Sequence, residues 1–169
     1  GITGFSEAGL EKLEKNKDLV IPAKDDDRNP IVGIGAGAFQ NKGITSVTFP
    51  KGVMASYSGS DIAEGLTERG NFVIQSSAFL GNELTSVDFP EGVIYVGGNA
   101  FKSNKLQSVK FSHTIWRLDN GSFAKNEISR VEFPETCDFY LNIDNQAFMY
   151  NQIKSVRLPD RTEKVTLYA

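Results

Sequence analysis

At 169 residues the chain has the length of one domain, and its 40% hydrophobic and 23% charged residues place it outside the disordered class. Eighteen basic against 21 acidic side chains lack the basic footprint of a general nucleic-acid binder, and no run approaches the roughly 20 apolar residues of a membrane span. One cysteine, Cys137, and one histidine, His113, exclude an internal disulfide and an ordinary zinc site, and allow at most one histidine-dependent active centre.

The first predicted element is a helix over Glu7–Asn16. Ser6 is its N-cap, acidic residues sit in its first turns, and Leu10 and Leu13 share one side. Leu19-Val20-Ile21-Pro22 then reads as a short strand. Residues 1–30 are therefore expected to cap the hydrophobic end of residues 31–169 and to be continuous with them. Asp25, Asp27 and Asn29 begin like a calcium loop. Pro30 stands where that loop needs glycine, and Ala36 where it needs a bidentate glutamate, so a solvated turn is expected. The run Gly33-Ile34-Gly35-Ala36-Gly37-Ala38 imitates a dinucleotide fingerprint but leads into an aromatic, not a long helix. It holds the place that VGGNAF holds at 96–101, which makes it part of a turn.

From residue 31 to 169 the chain repeats itself. AFQNKGITSVTFP, AFLGNELTSVDFP, AFKSNKLQSVKFS, SFAKNEISRVEFP and AFMYNQIKSVRLP are copies of one pattern, anchored at Phe39, Phe79, Phe101, Phe123 and Phe148. The anchors are 40, 22, 22 and 25 residues apart. The unit is thus 22 residues, with an 18-residue insertion in the first interval and 3 in the last. A period in the twenties belongs to a solenoid, each unit one turn. The fold expected is a β-rich repeat solenoid, a right-handed superhelix of about five to six turns of short parallel strands with an N-terminal capping helix.

Within a turn, the valine eight residues after each anchor and the aromatic or leucine ten after it share one strand face. The next residue, proline in every copy but one, ends the pairing. A second apolar stretch, such as Val93 and Val96 or Leu141 and Ile143, supplies the opposite core wall, and the anchors belong between turns. Asn82, Asn104, Asn126 and Asn151, three residues after their anchors, suit a ladder of amides satisfying backbone groups between turns. Asn120-Gly121-Ser122 matches a glycosylation sequon but reads as a turn. His113 and Cys137 have no sequence neighbours that would make them a nucleophilic pair.

Two features remain as sites. One is the insertion at about 54–71, with Tyr57, Asp61, Glu64 and Arg69; loops inserted in a repeat scaffold often carry function. The other is the outward face of the strand ladder: Ser46 and Thr48, Ser86 and Asp88, Ser108 and Lys110, Arg130 and Glu132, Ser155 and Arg157. Asp88, Lys110, Glu132 and Arg157 alternate in sign, so neighbours on adjacent turns are expected to attract, each pair by about 0.2–1 kcal/mol. This strand face is expected to be the continuous one, the opposite side being interrupted by turns. After Pro159 the chain runs DRTEKVTLYA into part of another turn, as a piece of a longer protein would, with Val165, Leu167 and Tyr168 as its closing apolar residues.

The pattern A-F-x-x-N-x-I/L-x-S-V-x-F/L-P over about residues 19–160, with the opening ITGFSEAGLEKLEKNKDLVIP, resembles the BspA-like leucine-rich repeats of bacterial surface proteins. Departures are Ser122 for alanine, Ser112 for proline and Lys42 for asparagine. The resemblance implies an extracellular, wall-associated or secreted bacterial protein that adheres to host or microbial surfaces, without catalysis. The expectation is a non-enzymatic protein-binding module with no cofactor and no metal, meeting an extracellular protein of the host matrix or a microbial surface. It is expected to be a monomer with a further contact available at the open C-terminal end. A structural spacer presenting another domain is the alternative. Tyr57, Tyr95, Trp116 and Tyr140 are the aromatics left over for stacking on a carbohydrate.

Overall fold

The computed structural model describes residues 1–51 and 72–166. The expected inserted loop, with Tyr57, Asp61, Glu64 and Arg69, lies outside the described residues, as do Leu167 and Tyr168. The chain opens with helix α1 (Glu7–Lys15), begun by Ser6, whose Oγ accepts a hydrogen bond from the Gly9 N–H at 3.2 Å. Leu13 enters the core, while Leu10 stays 39% exposed. Strand β1 (Asp18–Val20) comes next and pairs in parallel with β3 (Ser46–Thr48), so the cap strand is a rung of the ladder, as its sequence suggests.

The ladder continues in β5 (Ser86–Asp88), β7 (Ser108–Lys110) and β9 (Arg130–Glu132), which pair in parallel and in repeat register. Each rung is three residues long; Pro50, Pro90 and Pro134 lie just beyond three of them and cannot donate to a neighbour. Across the core stand β2 (Gly33–Ile34), β4 (Phe72–Ile74), β6 (Val93–Val96), β8 (Arg117–Leu118), β10 (Leu141–Ile143) and β11 (Thr162–Val165). They form one unbroken six-stranded parallel sheet. The continuous face is therefore this second wall, and the expected continuous ladder is divided into sheets of two and three strands. The cause is local alternation. Leu141 and Ile143 point inward and Asn142 outward, a period of two that makes each apolar stretch a strand.

The anchors stack through the middle. Phe79 on Phe101, Phe101 on Phe123 and Phe123 on Phe148 lie 5.0–5.3 Å apart with nearly parallel rings. Phe49, Phe89, Phe111 and Phe133 form a second column, whose first three members meet the first column edge-on. Left-handed residues bracket every anchor two positions away on each side: Gly37 and Asn41, Ser77 and Gly81, Asn99 and Ser103, Gly121 and Lys125, Gln146 and Tyr150. This is the bend that reverses the chain between the two walls. The glycine-rich run before Phe39 is its first copy.

Four anchors, Phe39, Phe79, Phe101 and Phe123, have a strand on each side, so there are about four complete turns, not five to six. The turn at Phe148 has β10 before it, but residues 152–159 form no strand, and Val156 is 43% exposed. Gln152 donates to the Ile128 carbonyl at 2.9 Å, and the segment then leaves the ladder, with no rung beyond it to pair with among the described residues.

Candidate interaction surface

The outward residues of the ladder stand where their alternation puts them. Ser46, Ser86, Asp88, Lys110 and Arg130 are exposed, and Ser108 and Glu132 half-buried; Thr48 is exposed as well. Asp88, Lys110 and Glu132 are register partners on successive rungs. The expected attraction along that column takes another form. Among the described residues no ion pair joins these three; Glu132 pairs with Arg130 of its own strand at 2.6 Å. The reason is reach, since residues two apart on one strand share a face and a long guanidinium folds back easily. Ser155 and Arg157 lie off the ladder, and Arg157 reaches Glu135 at 3.5 Å with both side chains well exposed. At the other end the neighbouring column, that of Ser46, Ser86, Ser108 and Arg130, gains a member the sequence reading missed: Asp18 on β1, the register partner of Ser46, accepts from Ser46 Oγ at 2.6 Å.

A second polar surface, on the outside of the six-stranded sheet, was not foreseen. Tyr95, Arg117, Asn142 and Lys164 are register neighbours on β6, β8, β10 and β11. Tyr95 Oη donates to Asp119 at 2.7 Å, Arg117 binds both Asp144 and Asp119, and Lys164 lies 3.6 Å from Asp144. Partial burial, helped by Asp119, pushes the Tyr95 hydroxyl up to about 12. Burial alone would raise the Asp119 carboxyl, yet the hydrogen bonds from Tyr95 and the Asn120 N–H, with the guanidinium nearby, hold it below its usual range. These charges are spent on one another, which makes the patch a clasp across turns. The signal was available: Tyr95, Arg117 and Asn142 each stand six residues before an anchor.

His113 is similarly placed by the repeat. Its Nε2 lies 3.2 Å from Glu91 and its Nδ1 3.2 Å from Asp138, joining three successive turns. Partial burial works against the charged ring, but the two carboxylates prevail and raise its pKa. Cys137 is buried, and burial with the neighbouring Asp138 lifts its thiol to about 11, the protonated form at neutral pH. Of the leftover aromatics, Tyr57 lies outside the described residues, Tyr95 is occupied by Asp119, Trp116 is half-buried and Tyr140 is 62% exposed. In the loop at 25–29 the Asp25 carboxylate accepts from the Asn29 N–H and side chain, closing the turn on itself.

Ser122, the third residue of the sequon, is fully buried, and Asn120 gives its carbonyl to the Asn99 N–H of the preceding turn. Among the described residues, no helix is long and apolar enough to cross a membrane.

A family described as BspA type leucine rich repeat region matches the chain in six copies across residues 56–169. The match begins inside the segment that the anchor spacing reads as an insertion. It leaves out the copy at Phe39, which the structure places in the same stack, with its ring 5.3 Å from Phe79. No curated protein and no solved structure matches the chain.

Proposed function

We propose that this chain, which belongs to the BspA-type leucine-rich repeat family, is a non-enzymatic protein-binding module that a bacterium presents on its surface for adhesion. The family's solenoid is typically a scaffold for protein interaction, and the reading from there to adhesion is ours. The observation that carries it is the contrast between the two outer faces. The second sheet's charges are paired among themselves, whereas Asp88 and Lys110 on the ladder make no ion pair among the described residues and stand exposed on three-residue rungs. Small polar side chains such as Ser46, Thr48 and Ser86 lose little entropy on docking, and the charges orient an incoming protein.

Contacts of this kind give modest affinity, so micromolar-class binding to an extracellular protein of a host matrix or a microbial surface is expected, weakening as salt rises. The test presents the chain to a panel of immobilised matrix and bacterial surface proteins. Lys110→Glu with Arg130→Glu, both changes on the ladder, should then weaken any saturable binding by about tenfold or more. A folded double variant that binds its target as tightly as the parent would remove the ladder as the site. Ser56–Glu68 would then be deleted to test the segment between the first two anchors.

A further inference from the structure

The strand ladder is interrupted between β3 and β5, and the interruption is local. In the repeat, the residue after a rung donates to the last carbonyl of the next rung: Ile21 to Thr48, Phe89 to Lys110 and Phe111 to Glu132, all at 2.9 Å. The residue before a rung is tied to its counterpart one turn back: Thr45 to the Lys17 carbonyl, Gln107 to that of Thr85 and Ser129 to that of Gln107, at 2.8–3.1 Å. Between the repeats anchored at Phe39 and Phe79 both bonds are missing. Phe49 makes none to the Asp88 carbonyl and Thr85 none to that of Thr45, although all four residues are described.

The same two repeats stay joined on their other sides. β2 pairs with β4, while Gln75 donates to the Ile34 carbonyl, Phe39 to that of Ala78 and Glu83 to that of Ile44, each at 2.9 Å. Asn82 closes the bend between them, accepting from the Lys42 and Ile44 N–H groups and donating to the Phe39 carbonyl. The parting is thus confined to the rung and its flanks. The rings record it. In both columns the later stacked pairs lie within 3–11° of parallel, but Phe39 is tilted 36° from Phe79 and Phe49 33° from Phe89. Val47 on the parted rung is half-buried, whereas Val87 and Val109 on the next two are buried. The core beneath is nevertheless closed: Phe49 meets Phe72 and Phe79 edge-on and is buried. Parted backbone over a closed core lets two rungs approach without repacking the apolar side chains below them.

We propose that this seam is a hinge: the first repeat and its cap, residues 1–51, swing on the paired second wall, so that β3 and β5 part and meet. The axis lies along that wall, where the β2–β4 register and the bonds of the bend hold the two repeats together. The ladder is then two platforms, β1 with β3 and β5 with β7 and β9, whose mutual tilt is adjustable. This holds whatever the ladder binds.

Amide exchange read residue by residue on the whole chain separates a hinge from fraying. Phe49 and Thr85 should exchange about tenfold or more faster than Ile21, Phe89 and Phe111, while Gln75 and Glu83 in the same interface stay slow. Ile21 decides between the two, because it lies nearer the end of the stack than Phe49 and a fraying end would release it first. Phe49 as protected as Phe89 overturns the hinge, and so does Ile21 or Gln75 as exposed as Phe49. Closure is tested with Ser46→Cys and Ser86→Cys in a Cys137→Ala background. Ser46 and Ser86 hold the same place on their rungs, and neighbours in a paired ladder lie about 4.8 Å apart, within the span of a disulfide. Mild oxidation should join them and slow exchange at Phe49 by about tenfold or more, and reductant should restore it. A bond that fails to form under oxidant, or that forms and leaves Phe49 as fast as before, shows that the rungs do not meet and overturns the hinge.

Discussion

Ser122 and Asn104 show opposite outcomes for a buried polar side chain. Ser122 stands where the other turns carry alanine, is fully buried, and its Oγ has no hydrogen-bond partner among the described residues. A hydroxyl desolvated without compensation costs about 1–3 kcal/mol, so Ser122→Ala should stabilise the protein by about 1 kcal/mol and raise the urea midpoint. A lower midpoint would show that the hydroxyl has a partner in solution. Asn104 is nearly as buried but fully used. It accepts from the Leu84 N–H and donates to the Phe79 and Phe101 carbonyls, so one amide closes two turns. Asn104→Ala strands those groups and should cost about 2–4 kcal/mol, read from the same denaturation curve. An unchanged midpoint would remove the amide ladder from the account of stability. The asparagine column was legible because a side chain that donates and accepts at every turn suits one task. The orphaned hydroxyl was not, because sequence does not say which way a serine in an alanine position points.

Between turns, the linkage Glu91–His113–Asp138 ties the ends of three neighbouring units. Both ring nitrogens face carboxylates, which only the imidazolium satisfies as a double donor. The folded-state pKa is raised above the ordinary value of 6.5, so the unfolded chain releases its proton first as pH rises. The stabilisation is therefore complete below about pH 6.5 and disappears as pH climbs through the folded pKa. Denaturation midpoints measured on either side of that window should fall toward alkaline pH, and His113→Gln should flatten the difference. A wild-type difference that persists in the variant would assign the effect to other groups. His113 could be seen in the sequence, but its partners could not be recognised while only the strand columns were compared. Glu91 and His113 are one 22-residue period apart, and Asp138 lies a longer interval of 25 beyond. The clasp of Tyr95, Arg117, Asp119 and Asp144 is hidden in a similar way, because the stretch before each anchor reads as core wall and its outward residues, Tyr95, Arg117 and Asn142, repeat in position but not in letter.

Across the whole molecule, each turn touches only its neighbours, so stability varies along the axis. Phe101 is stacked on both sides and fully buried; Phe148 is stacked on one side and 9% exposed. Native-state amide exchange should accordingly be slowest in β7 and progressively faster through β10 to β11, with opening energies falling toward the C-terminal end. Equal protection in β7 and β11 would mean that the array opens as one unit. The sequence by itself determined the repeat, the anchors, the rungs up to Glu132 and the N-terminal cap, because alternation and period are local properties that each copy restates. Tertiary structure alone decided which wall is continuous, how the ladder charges pair and how many turns are complete. Those outcomes depend on side-chain reach across neighbouring strands and on whether a turn has a partner beyond it. Ser155-Val156-Arg157 shows the difference: the letters repeat the strand pattern, but a rung needs a neighbour on which to pair, and only the assembled stack decides whether one is held in place.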